Sequence, residues 1–166
     1  MIVEHAMHGI ARYTFQLVQG LATLASDFDF FLIVNPNNPL EKISWPSHVC
    51  VYQTNATWIS LGEQVLLPQF IKQHNIDLFH SPFVVAPVLC PCKLIMTIHD
   101  LNHIVLPQFY TPFHQLYYKT IVGPSVRKAR FIITVSDFSR GEIQRYLSVP
   151  ANKIFVTYNG VSRHYV

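Results

Sequence analysis

Phe131-Ile132-Ile133-Thr134-Val135-Ser136-Asp137-Phe138-Ser139-Arg140-Gly141-Glu142-Ile143 is the stretch on which the fold turns. Phe131–Val135 is a short, nearly unbroken apolar run, as expected of a strand buried on both faces. Ser136 then opens a helix that runs to Leu147. Ser139 and Glu142 have capping-box spacing, and Ser136 or Asp137 can cap one turn earlier. A buried strand that feeds directly into a capped helix is the repeating piece of a parallel sheet with helical crossovers.

Working outward, the same alternation recurs. Lys93–Ile98 reads as a central strand and Ile76–His80 as a shorter one ended by Ser81-Pro82. A helix over Phe113–Ala129, disturbed near Gly123-Pro124, leads into Phe131. Lys153–Tyr158 is a last strand before an Asn159-Gly160 turn. Toward the N-terminus a helix starts at Gly9, with Ile10, Thr14, Leu17, Val18, Leu21, Leu24 and Ala25 along one face. Phe30–Val34 and Val49–Tyr52 are strands, the first closed by Asn35-Pro36-Asn37-Asn38-Pro39. A further helix spans Ile59 to His74, with Pro68 kinking or dividing it. The pattern is α/β: a Rossmann-like three-layer α/β/α arrangement with a mostly parallel sheet.

Half of the 166 residues are hydrophobic and 13% are charged, which suggests one more apolar face than the chain covers by itself. The apolar runs are strand-sized, well short of the ~18 residues of a membrane helix. An acid at Glu4 and the lack of a basic leader argue against a signal peptide. Cys50, Cys90 and Cys92 form no disulfide framework, and the odd count fits a reducing compartment. The net charge of +3 is scattered apart from Arg127, Lys128 and Arg130, so no nucleic-acid site is read from it. Loose attraction to an anionic membrane surface stays open.

Several segments can carry chemistry. Gly9 opens the first helix, so the amides of Ile10 and Ala11 form an anion-friendly terminus with Arg12 beside it. His99 follows the strand Lys93–Ile98, and parallel α/β sheets bind ligands beyond the carboxyl ends of their strands. Its plain alternative is a structural histidine bonded to Asp100 or a nearby carbonyl. His99-Asp100-Leu101-Asn102-His103 imitates a zinc motif, but that motif needs one helix to align both imidazoles. Ser136 ends a strand where its amides face the same edge, although capping alone explains it. No nucleophilic triad, Walker loop or full dinucleotide fingerprint is present.

Taken together, Gly9–Thr14, Leu78–Pro82, Thr97–Leu101, Thr134–Ser139 and Lys153–Val161 resemble, in order and spacing, the N-terminal domain of glycosyltransferase family 4. That family is the retaining GT-B group, with two Rossmann-like domains around a cleft. The resemblance implies that residues 1–166 are the acceptor-side half. A C-terminal donor-binding half, bearing glutamates spaced E-x7-E, would be absent from this chain. It further implies transfer of a hexose from a nucleotide-diphosphate sugar, by preference uridine-linked, to a lipid-linked or polysaccharide acceptor with retention. By resemblance Gly9, Ile10 and Arg12 face the donor diphosphate, and His99 acts at the transferred sugar with Asp100 beside it. Ser136 lines the cleft, and Asn159-Gly160 marks the crossing to the second domain. The usual Gly-Ile-Gly ends here in Ala11, and Asp137 stands where Glu is frequent. No metal or other cofactor is expected. The location implied is cytoplasmic, or peripheral at the inner face of the membrane. The rival readings are a non-enzymatic sugar- or nucleotide-binding module and a metal-dependent hydrolase built on His99, Asp100 and His103.

Overall fold

A computed structural model describes residues 9–24, 27–56 and 59–160. Glu4, Ala25 and the end of the last segment at Val161 lie outside the described residues. The chain divides into two compact units between residues 57 and 58.

In the first unit, helix α1 (Gly9–Leu24) precedes strands β1 (Phe30–Val34) and β2 (Val49–Gln53). The two strands pair in parallel, Phe30 opposite Val49 and Val34 opposite Gln53. The small core is Phe15, Val34 and Leu40, with Trp45 edge-on to Phe15 at 6.4 Å. On α1 the buried positions are Phe15 and Ala22, seven residues apart, while Leu24 is 86% exposed. The core-facing stripe is therefore rotated from the one read off the periodicity, because a ring at Phe15 fills more of the small core than the aliphatic row beside it.

The second unit holds α2 (Glu63–Gln73), β3 (Leu78–Ser81), β4 (Lys93–Ile98), α3 (Asn102–Val105), α4 (Pro112–Tyr117), α5 (Gly123–Lys128), β5 (Phe131–Thr134), α6 (Asp137–Leu147) and β6 (Ile154–Val156). Its sheet runs β3-β4-β5-β6 in sequence order, with every neighbouring pair parallel. Met96, Ile98 and Ile132 on the two central strands are fully buried, as are Val122, Val126 and Ile143 from the helices. The layout is Rossmann-like, parallel sheets with flanking helices, and the described strands form two sheets rather than one.

Where the elements depart from expectation, local chemistry accounts for it. Helix α2 begins at Glu63 because Ile59 is left-handed (φ 56°), a rare state for a β-branched residue. The buried Glu63 carboxylate reaches back to accept the Ile59 amide at 3.2 Å, and it also accepts the hydroxyl of Tyr117. Burial pushes this carboxyl above its ordinary range. Pro68 lies inside α2 without dividing it. At the far end Asn75 is left-handed and the Ile76 amide donates to the Ile71 carbonyl, a Schellman ending. Ile76 is thereby spent on the helix, and β3 starts at Leu78. Between α4 and α5, residues Tyr118–Val122 widen into a π turn and the Gly123 amide donates to the Tyr118 carbonyl. Pro124, which lacks an N–H, follows at once. After β6 the Asn159-Gly160 pair lies in irregular chain rather than in a turn.

Candidate functional site

At the carboxyl edge of the second sheet, β3, β4 and β5 end side by side in Ser81, Ile98 and Thr134. Each end is fixed by a side-chain hydroxyl. Ser81, buried, donates to the Val85 carbonyl at 2.6 Å and lies 2.9 Å from that of Phe83, shaping the loop after β3. Thr134, fully buried, donates to the Ile98 carbonyl at 2.7 Å and so ties β5 to the last residue of β4. Ser139 donates to the His99 carbonyl at 2.9 Å, which ties α6 to the residue just past β4.

His99 is thus held from both sides. Its ring Nε2 lies 3.2 Å from the Pro82 carbonyl. A carbonyl only accepts, so Nε2 carries the proton, and in the neutral ring Nδ1 is the acceptor. Its half-buried ring sits on the edge rather than in the core. The carbonyl contact is the one the structural alternative foresaw, and it also orients the imidazole. Asp100 is exposed; its Oδ1 accepts the Asn102 amide at 3.1 Å and turns the chain into α3.

Ser136 is the N-cap of α6: its Oγ accepts the Ser139 amide at 3.1 Å and donates to the Ser139 hydroxyl at 3.0 Å. The cap is therefore the earlier of the two foreseen, and Ser139 is released to bond His99. Beyond β6 the Thr157 amide donates to the Thr134 carbonyl at 2.8 Å, and the Tyr158 hydroxyl donates to Asp137 Oδ2 at 2.5 Å. Asn159 and Gly160 follow at the same edge, both exposed, with the exposed rings of Phe138 and Tyr158.

Two histidines near this edge stay neutral. His80 bonds the Thr97 hydroxyl at 2.8 Å, and burial lowers its pKa to about 4. His103 stacks on Tyr118 with ring centroids 3.8 Å apart; burial, partly opposed by Asp100, lowers it to about 4 as well. Its buried Nε2 has no hydrogen-bond partner among the described residues. The imitation of a zinc motif thus has one ring on an edge and the other in an aromatic stack. Among the described residues no three His, Cys, Asp or Glu side chains are grouped to hold a metal ion.

In the first unit Gly9, Ile10 and Ala11 are exposed at the head of α1, and Arg12 is half-buried. No glycine has a positive φ among the described residues, and a Cβ at Gly9 would meet nothing within 4 Å. Neither a turn nor packing within the described chain requires glycine there.

His99, Asp100, Ser136, Asn159 and Gly160 therefore share the edge of one sheet, while Gly9, Ile10 and Arg12 belong to the helix start of the first unit. Sequence reasoning missed Ser81, Thr134 and Ser139 as the residues that position His99. Their signal was a hydroxyl at or just past each strand end, common enough in turns and caps to pass unnoticed.

The family model described as Glycosyltransferase Family 4 matches residues 7–165. The chain is 25% identical, over 99% of its length, to O-antigen chain mannosyltransferase B of Escherichia coli. It spans about half, 46%, of that relative. Among the described residues no helix is long and apolar enough to cross a membrane.

Proposed function

The chain belongs to glycosyltransferase family 4, and on that premise we propose that it forms the acceptor-side half of an enzyme moving a hexosyl group from a nucleotide-diphosphate donor with retention. The observation that carries the reading is the anchoring of His99. One ring nitrogen is fixed on Pro82 and the main chain on Ser139, at the strand-end edge where sheets of this kind take their ligands. The mannosyl group in the relative's name is a hexose and supports the donor class.

In this reaction the bond between the anomeric carbon and the diphosphate breaks as a bond to an acceptor oxygen forms on the same face, and the acceptor hydroxyl's proton passes to the leaving diphosphate. Charge grows on the leaving diphosphate and, with opposite sign, at the anomeric carbon. In the first unit, the head of α1 with Gly9, Ile10 and Arg12 carries amides and a guanidinium of the kind that meet an anion. His99 offers a pre-oriented imidazole to the transferred sugar, with Asp100 and the Ser136 cap as neighbours. Preferred donors are uridine-linked, acceptors are lipid-linked or polysaccharide hydroxyls, and no metal takes part. A second domain, reached past Asn159-Gly160, supplies most nucleotide contacts. The enzyme works in the cytoplasm, either free or peripheral at the inner face of the membrane.

The test is turnover by the full-length protein with uridine-, guanosine- and adenosine-diphosphate hexoses, reading nucleotide release and, by NMR, the anomeric configuration of the product. Transfer with the donor's configuration kept supports the proposal. Inversion, or donor binding with no transfer to any hydroxyl acceptor, overturns it.

A further inference from the structure

Lys93, Lys128, Arg130 and Lys153 line one groove of about 600 Å³ in the second unit. They belong to the first residue of β4, the last of α5, the residue just before β5 and the turn just before β6. Because these strands are parallel, the groove lies at their amino ends. His99 and Ser136 lie at the carboxyl ends, roughly 20 Å away along a six-residue strand.

The groove is built on firm backbone. The Arg130 amide donates to the Leu94 carbonyl at 2.7 Å and the Ala129 amide to that of Ser125 at 2.9 Å. Leu94 and Ala129 are buried beneath it. Arg130 lies over the Phe131 ring, 5.6 Å from its centroid, a contact that steadies the guanidinium and leaves its edge N–H groups available. Lys128 Nζ donates to the Val88 carbonyl at 3.2 Å, and Lys153 Nζ lies 3.4 Å from the Ala129 and 3.5 Å from the Arg127 carbonyl. An ammonium has three donors, so these tethers orient the lysines without exhausting them.

A solvated face and a helix C-terminus explain Lys128 and Lys153. They do not explain why Lys93 and Arg130, from other elements, line the same hollow. No carboxylate is among the lining residues, and Asp77 makes itself felt on one of them, the Cys92 thiol. The ion pair recorded among the described residues, Arg140 with Asp137, belongs to α6. Gathering like charges around a concavity raises its potential and draws an anion.

We propose that this groove is a binding site for a phosphate-bearing ligand, a phosphomonoester or pyrophosphate group. Guanidinium and ammonium donors match phosphate oxygens. A hollow of this size fits a compact headgroup better than the extended face of a protein or duplex. The group can arrive on a soluble phosphate or on an anionic lipid.

The experiment uses the full-length protein in two arms: calorimetric titration with inorganic pyrophosphate, and co-sedimentation with phosphatidylcholine vesicles with and without phosphatidylglycerol. The double variant Lys93→Gln/Arg130→Gln, and Arg130→Gln alone, change exposed side chains; thermal melts verify that they fold. Expected is about tenfold weaker binding in the double variant, in the pyrophosphate arm for a soluble ligand or the vesicle arm for a lipid. His99→Ala, at the other end of the strands, leaves that binding unchanged. Equal binding by wild type and double variant overturns the proposal, as does binding that follows His99 instead. Absence of saturable binding in both arms overturns it too.

Discussion

The two ends of the same four strands are built on opposite principles. At the carboxyl end the working groups are tied down by hydrogen bonds. Ser81, Thr134, Ser136 and Ser139 all spend their hydroxyls on neighbours, and the His99 ring rests on Pro82. At the amino end four cations gather, held by long carbonyl contacts and one aromatic face. The first arrangement fixes geometry, as a reacting group needs, because a small misplacement costs rate steeply. The second supplies charge on long stems, as attraction of an anion needs, because a Coulomb field tolerates a shift of an ångström or two. Position rules one end and potential the other.

Changes at the carboxyl end should break turnover or order, and changes at the amino end should weaken anion binding while sparing both. The largest effect is expected for His99→Ala in the full-length enzyme, a fall of about 10²–10³ in kcat/KM. Its melting temperature should scarcely move; equal losses in turnover and stability would make the ring a structural prop.

Acid comes next. His80 and His103 are held near pKa 4, against an ordinary 6.5 in the unfolded chain. Between those values the unfolded chain binds more protons, so stability is full above pH 6.5 and falls as pH drops toward 4, then levels off. For the well-buried His103 the loss is on the order of 3 kcal/mol. Urea melts across this range check it, and His103→Phe, which keeps the stack on Tyr118, should flatten the curve.

Ser139→Ala frees the His99 carbonyl and should cost roughly 1–2 kcal/mol, with a drop in kcat larger than any rise in KM. Ser136→Ala removes the cap and should cost about 1 kcal/mol in the same melts. Lys93→Gln/Arg130→Gln should change stability by less than about 0.5 kcal/mol. A larger loss at this end would show that its cations are structural after all.

Much of this was legible in advance, and unevenly so. Lys93–Ile98 and Phe30–Val34 fall where they were read, because apolar strands between breakers leave little freedom. The break in the long helix also fell where Gly123-Pro124 placed it, although its form, a π turn, was not foreseen. The starts of α2 and β3 were missed because left-handed residues, with a side-chain acceptor at one and a helix carbonyl at the other, set them rather than periodicity. On α1 the period was right and the phase wrong, since phase depends on what the helix packs against. Of the candidate site, the position of His99 and Ser136 just past strand ends was legible from the alternation of apolar runs and caps. The residues that hold His99 were not, because a serine that caps and a serine that anchors look the same in one dimension.

The amino-acid sequence by itself determined the α/β class, the strand tips and the family, because these rest on local patterns: apolar runs, caps and short motifs within a few residues. Only the tertiary structure decided that Ser139 bonds the His99 carbonyl and Thr134 that of Ile98, and that Lys93, Lys128, Arg130 and Lys153 share a groove. Those contacts join residues far apart along the chain, and their geometry exists only once parallel strands stack in register.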